Sequence, residues 1–287
     1  MLLLDKPLGY SSNQALQKVK WLFQAAKAGH TGTLDPLATG LLPICLGEAT
    51  KFAQYVTDAD KTYIANIKLG VKTTTGDAEG EVISTRPVGV GETEFTQACQ
   101  QFLGEVGQVP PMYSALKHEG KALYEYARAG VEIERPARQV TIQSISVNAF
   151  SESDAIITVT CSKGTYIRTL AEDIGESLGC GAHLTGLRRT ETAGYVIDDA
   201  MTIEEIEALS IEVRDGQLLP VDSAIKVLPK VSISADSAFY FKQGQAVWEA
   251  GEMPKGELRI YEEDGVFLGV GKLLDDGKIT PKRLVNL

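Results

Sequence analysis

The segment Gly29-His30-Thr31-Gly32-Thr33-Leu34-Asp35-Pro36-Leu37-Ala38-Thr39-Gly40 holds one carboxylate among residues that constrain the backbone. Glycines at 29, 32 and 40 permit angles and close approaches that other residues resist. Pro36 restrains Asp35 to extended geometry. A positioned aspartate can serve as nucleophile, base or charge stabiliser, and the same residue types also make ordinary turns. The second candidate is Arg168, in Ser162-Lys163-Gly164-Thr165-Tyr166-Ile167-Arg168-Thr169-Leu170. It falls in the first turn of a helix, beside the positive end of the helix dipole. A cation there is mildly unfavourable unless a carboxylate meets it, so a partnered arginine is expected.

The elements that must hold these groups can be read from periodicity. Ser11 to Gln14 has capping-box spacing, and Ala15, Leu16, Val19, Leu22 and Phe23 share one helical face. Gly29 is expected to stop this helix and open the Asp35 loop. Met1-Leu2-Leu3-Leu4 reads as a short buried strand, too short for a signal peptide. Thr62 to Leu69 alternates as a strand, with Tyr63, Ala65, Ile67 and Leu69 on one side. Residues 73–80 and 86–91 read as loops, and a helix carrying Phe95, Cys99, Phe102 and Leu103 follows Thr93. Val109 to Ala115 is extended and proline-restrained, Leu123 to Arg128 a short helix, and 138–149 and 155–161 are strands. Ile167, Leu170, Ala171, Ile174 and Leu178 mark the Arg168 helix, which Gly179 ends. Thr202 to Glu205 is a second capping box, opening a helix to about Leu209. A boundary near Lys226-Val227-Leu228-Pro229 divides 1–226 from 227–287, where glycine-broken short strands predict a small β-rich unit. The fold class is α+β.

At 287 residues with 44% hydrophobic content, the chain can bury a substantial core. No apolar run approaches the roughly 20 residues of a membrane span. Cys45, Cys99, Cys161 and Cys180 lie far apart without Cys-x-x-Cys spacing, and are expected as buried reduced thiols. His30, His118 and His183 lack zinc-ligand spacing, so no metal is expected. Without a Gly-x-Gly-x-x-Gly or Walker loop, no nucleotide cofactor is expected either. The net charge of -10 argues against a basic nucleic-acid footprint, but the sign varies along the chain. Lysines 6, 18, 20, 27, 51, 61, 68 and 72 enrich the first part, while the region after Gly194 is acidic. An acidic protein can hold RNA if its cations converge on one face.

Asp5-Lys6-Pro7, the Asp35 loop, Asp60-Lys61-Thr62-Tyr63 and the Ser162 to Leu170 segment, in that order, resemble the bacterial TruB family of tRNA pseudouridine-55 synthases. The resemblance covers nearly the whole chain, and the end of the chain is similar to a PUA-type RNA-binding domain. It implies a pseudouridine synthase fold, with a central mixed or antiparallel sheet flanked by helices, over 1–226, and a PUA-like domain over 227–287. It implies isomerisation of a uridine in the T-arm stem-loop of tRNA, by a cytoplasmic monomer, without cofactor, guide RNA or obligatory protein partner. By resemblance Asp35 is the reacting carboxylate, Arg168 holds it, and Tyr63 is the active-site tyrosine. Tyr166 and Leu187 line the pocket for the target base, and His30 contacts the rearranged RNA loop. Lys6 and Pro7 support the catalytic loop, and Arg188-Arg189 is a candidate phosphate clamp.

The chain departs from the family pattern at Thr62, where a basic residue is common, and it begins only four residues before Asp5, which suggests a missing N-terminal extension. A guide-dependent synthase of the dyskerin and Cbf5 kind shares the Asp loop, but the short chain and absence of lysine-rich tails favour the bacterial type. A non-catalytic RNA chaperone is the alternative from another class. A hydrolase using Asp35 would need a second acid, and no motif supplies one.

Overall fold

The computed structural model describes residues 1–286 and builds its larger part on a nine-stranded sheet. Leu2–Lys6 (β1) is followed by Ser12–Leu22 (α1), then Ala28–His30 (β2) and Ala38–Leu46 (β3), which flank the Asp35 loop. Ala53–Thr57 (α2) leads into Lys61–Leu69 (β4), and the hairpin of Val71–Thr73 (β5) and Val82–Thr85 (β6) follows. Glu92–Gln100 (α3) and Gly104–Gln108 (β7) precede a small excursion formed by Lys117–His118 (β8), Lys121–Ala122 (β9) and Leu123–Arg128 (α4). Arg138–Ser151 (β10), Asp154–Cys161 (β11), Ile167–Ser177 (α5), Ala182–Thr192 (β12) and Tyr195–Val196 (β13) complete the sheet region. Ile203–Ala208 (α6) and Ile211–Asp215 (α7) then lead to Lys230–Ile233 (β14), Ala235–Lys242 (α8), Val247–Trp248 (β15), Glu257–Glu262 (β16), Phe267–Leu273 (β17) and Lys278–Leu284 (β18).

The strand order is β1-β3-β12-β4-β11-β10-β7, with β2 on β3 and β13 on β12. All pairs are antiparallel except β12 with β3. β12 therefore lies between the strand that leaves the Asp35 loop and the strand that carries Tyr63. Its register sets Leu187 beside Ala38 and Ala65, and Arg189 beside Gly40 and Tyr63. The alternation of β4 buries Tyr63, Ala65, Ile67 and Leu69 together, as its period-two pattern requires. The stripe Ile167, Leu170, Ala171 and Ile174 buries α5 against this core. At Gly175 an added Cβ would meet the Ala182 backbone nitrogen at 2.4 Å, so only glycine lets α5 come so close to β12. The second sheet, β14-β16-β17-β18-β15, packs Val231, Ile260 and Ile279 over α8. A mixed cluster that includes Phe52, Ile225 and Val270 joins it to the larger part. Among the described residues, no helix is long and apolar enough to cross a membrane.

Two sequence expectations change. The first helix ends at Leu22, not Gly29. Ala25 N–H donates to the Lys20 carbonyl and Gln24 N–H to the Trp21 carbonyl, a Schellman ending with Gln24 at φ 47° where glycine is usual. Gly29 lies instead in β2, opposite Cys45. The terminal unit is also not all strand. The Ser234 hydroxyl accepts from Ser237 N–H and opens α8, whose buried Ala238 and Phe241 complete the small core.

Candidate active site

The Asp35 loop is clamped at the residue before the acid. Ser12, at the start of α1, donates from Oγ to the Leu34 carbonyl at 2.9 Å and accepts from Leu34 N–H at 2.7 Å. Gly9 N–H donates to the Pro36 carbonyl, and Ala38 N–H closes a turn onto the Asp35 carbonyl at 3.0 Å. Leu34 is buried beneath. Periodicity gives Ser12 no more than a place in a capped helix; its two-way bond to the loop is a tertiary feature.

Arg168 is buried in the first turn of α5 and is partnered, as its position near the helix dipole requires. One guanidinium nitrogen lies 3.1 Å from Asp35 Oδ2 and the other 3.4 Å from Asp77 Oδ2. The same two nitrogens donate to the carbonyls of Tyr113, at 2.6 Å, and Thr75, at 3.0 Å. Asp77 is the second carboxylate on Arg168, and no sequence motif marks it. It sits in the loop between β5 and β6, accepts from Thr75 Oγ1 at 2.5 Å and Glu79 N–H at 3.1 Å, and is almost wholly buried. Leu184 N–H on β12 holds that loop through the Gly76 carbonyl. Gln108, also unanticipated, pairs both ways with the Tyr166 backbone at 2.7 and 3.0 Å and fixes the entry to α5.

The two carboxylates on Arg168 are unequal. The Asp77 side chain is 3% accessible and that of Asp35 41%, so Asp35 alone faces outward. Burial pushes the Asp35 carboxyl above its ordinary range, with Asp77 adding to the effect, while Arg168 and then Lys6 oppose it. Lys6 is fully buried, donates to the carbonyls of Pro7 at 2.9 Å and Tyr10 at 2.5 Å, and is pushed down to about 8 by burial. These bonds tie it to the segment whose Gly9 N–H reaches the Pro36 carbonyl of the loop.

Tyr63 and Tyr166 both lie within electrostatic reach of Asp35, and burial raises both phenols. Leu187 is half-buried between Ala38 and Ala65. His30, on β2, pairs with Ile44 of β3; burial, then the Arg189 charge, lowers its pKa, which favours the neutral ring, and its buried Nδ1 has no partner among the described residues. Among the described residues no hydrogen bond or ion pair joins His30 to Asp35.

Burial splits the Arg188-Arg189 pair. Arg188 makes a two-pronged pair with Asp5 at 2.7 and 3.1 Å, and Arg189 is 1% exposed. Both lie on an interior strand; Arg189 leaves no charge for solvent, whereas the Arg188 side chain stays 41% exposed beside Asp5. Six of the eight early lysines are paired or buried, Lys20 and Lys27 being the exceptions. Lys18, Lys51, Lys68 and Lys72 are in ion pairs with Glu207, Glu48, Asp154 and Glu176, and Lys6 and Lys61 are buried. Exposed cations without ion pairs among the described residues include Lys27 and, following the segment whose Tyr113 carbonyl touches Arg168, Lys117, Lys121, Arg128 and Arg138.

A sequence profile described as the N-terminal domain of TruB family pseudouridylate synthase matches residues 20–167, more than half of the chain. Profiles for the tRNA pseudouridylate synthase B C-terminal domain and the pseudouridine synthase II TruB C-terminus match 168–226 and 229–285. The tRNA pseudouridine synthase B of Methylobacillus flagellatus is 59% identical over 286 residues, which cover 100% of this chain and 95% of that one. The chain belongs to the TruB family. The protein of the same name from Ectopseudomonas mendocina is 53% identical over 290 residues, covering 99% of this chain and 94% of the relative. Among solved structures, a chain from a Cbf5-Nop10-Gar1 complex superposes with a TM-score of 0.73 at 27% identity, covering 100% of this chain and 83% of its own. The fold is thus the α+β fold of the pseudouridine synthases, with a β-rich C-terminal unit.

Proposed function

We propose that this TruB-family chain converts a uridine of tRNA, at position 55 in the T-arm loop, into pseudouridine, with Asp35 as the reacting carboxylate. One observation carries the reading. Asp35 is the solvent-facing member of a pair of carboxylates on a buried guanidinium, 3.1 Å from it. The reaction breaks the bond from uracil N1 to ribose C1′ and joins C1′ to C5. It needs one ionised carboxylate, which can attack C1′, add to C6, or deprotonate C2′. Burial and Asp77 favour the neutral acid, and Arg168 opposes them, so the guanidinium sustains the reactive form. Its four protein contacts fix where that carboxylate points.

A uridine stacked in an RNA loop must be turned out before Asp35 can reach it, at a cost of a few kcal/mol. Tyr63, Tyr166 and the half-buried Leu187 offer aromatic and apolar surface to the everted base. His30, partly buried at the edge of the loop, contacts the rearranged RNA through the face of its ring that remains exposed. The exposed cations from Lys117 to Arg138 are suited to the T-arm phosphates. Residues 1–226 form the catalytic unit and 227–287 a PUA-like RNA-binding unit. The enzyme works as a monomer in the cytoplasm, without guide RNA or protein partner; near-full-length identity of 59% to a relative named as a tRNA enzyme supports that choice over a guide-dependent one.

The test is Asp35→Asn, assayed by tritium release from C5 of a labelled T-arm hairpin. Pseudouridine formation should vanish while hairpin affinity stays within a few-fold. Turnover by this variant at the unsubstituted rate would remove Asp35 from the mechanism.

A further inference from the structure

Arg189 is a buried guanidinium that forms no ion pair with a carboxylate among the described residues. Buried charge is costly when unpaired, so what it touches matters. Its Nε donates to the Leu41 carbonyl at 2.6 Å and its Nη2 to the Gly32 carbonyl at 3.4 Å. These two carbonyls lie on opposite sides of Asp35 in sequence, before and after the turn that presents it. The backbone of Arg189 is in register with Gly40 on one side and Tyr63 on the other. A Cβ added at Gly40 would lie 2.3 Å from the Arg189 carbonyl oxygen, and one at Gly32 would meet Nη1 at 3.4 Å. Gly32 and Gly40 have φ of 116° and 101°, which favour glycine at both ends of the loop, and at Gly40 the close approach of Arg189 also excludes a Cβ. Its charge also opposes the effect of burial on Tyr63.

We infer that Arg189 is a positioning residue for the isomerisation, bracing both ends of the Asp35 loop and the Tyr63 strand so that the carboxylate and the aromatic ring keep a fixed separation. It touches neither the base nor Asp35, and acts through the backbone it holds. A planar five-donor fork can span two carbonyls at once, whereas a lysine ammonium at the same place is a point donor on a flexible stem. This inference rests on the reading of Asp35 as the reacting group.

The experiment compares Arg189→Lys and Arg189→Gln with Asp35→Asn, in the full chain, by circular dichroism, hairpin affinity and single-turnover tritium release. Arg189→Lys should fold, bind the T-arm hairpin within about threefold, and lose about 100-fold in the single-turnover rate, the scale of a small misplacement of a reacting group. Arg189→Gln should lose at least as much. A wild-type rate in Arg189→Lys overturns the inference, as do equal losses in rate and affinity, or failure of Arg189→Lys to fold, which would make the residue a requirement of the fold alone. If Asp35→Asn stays active, the fault lies with the reading of Asp35; if Asp35→Asn is dead and Arg189→Lys is normal, only this inference fails.

Discussion

Replacing Arg168 with methionine keeps most of its volume and removes its charge. The carboxylate it faces is 3.1 Å away, a separation worth about 5 kcal/mol at an effective dielectric of roughly 20. Because the Asp35 side chain is 41% accessible, water screens the pair, and roughly half of that is a fair expectation. A loss of about 2–3 kcal/mol from the ionised form corresponds to a rate about 30- to 160-fold lower at neutral pH. The sign is testable through pH. Burial and Asp77 already raise the Asp35 carboxyl, and Arg168 is the largest influence holding it down. Without it the reactive anion forms only at higher pH, so the variant's single-turnover rate should climb across a range where the unsubstituted enzyme is already flat. The variant also strands Asp77, which is 3% accessible, at a stability cost of about 3–5 kcal/mol. Adding Asp77→Asn removes that buried anion and should recover part of the stability, and, because the Asp77 charge also raises the Asp35 carboxyl, a minor part of the rate. Tritium release from a T-arm hairpin between pH 6 and 9.5, alongside urea unfolding, measures both. An Arg168→Met enzyme with the normal rate and the normal pH profile would refute the claim that this guanidinium sustains the reactive carboxylate.

Two other outcomes follow from the same geometry. Ser12→Ala strips both hydrogen bonds from Leu34 inside the core and should lower the unfolding free energy by about 1–3 kcal/mol in urea titration; a change within experimental error would mean the loop is not held there. Stability should also depend on pH in a particular way. Lys6 and Lys61, both pushed down to about 8 from 10.5, bind fewer protons folded than unfolded above pH 8, so stability rises there. Cys45 and Cys161, raised to about 11, and Cys99, raised to about 12, hold more protons folded than unfolded above their ordinary 9.0, so stability falls there. Unfolding free energy measured at steps from pH 7.5 to 10.5 should therefore pass through a maximum near pH 9, and a steady decline from pH 7.5 would contradict these burial effects.

The parts of the site legible in the sequence were those with local causes. Glycines and a proline around Asp35 announce a constrained loop, and the place of Arg168 in its helix demands a carboxylate. The alternation of β4 fixes which way Tyr63 faces. Asp77 was illegible because its loop has no period, and its approach to Arg168 depends on a bridge to Leu184 more than a hundred residues away. Ser12 and Gln108 escaped for the same reason: each looks ordinary in its own element and matters only through a distant backbone. The arginine pair at 188 and 189 reads as two surface cations, whereas their strand lies inside the sheet and buries Arg189, leaving Arg188 partly exposed beside Asp5. Gln24 and α8 show smaller versions of the same limit, where hydrogen bonds outweighed the expected glycine stop and a short serine-capped helix lay hidden among strand signals.

The insertion of β12 between β3 and β4 has a consequence for biosynthesis. The strands bearing the reactive loop and the tyrosine emerge early from the ribosome, yet the wedge that separates them arrives more than a hundred residues later. Until residues 182–192 are available, the two early strands cannot take up their final spacing, and any direct pairing between them must be undone. The spacing between the Asp35 loop and Tyr63 is thus set by a segment that becomes available only after most of the chain has been translated.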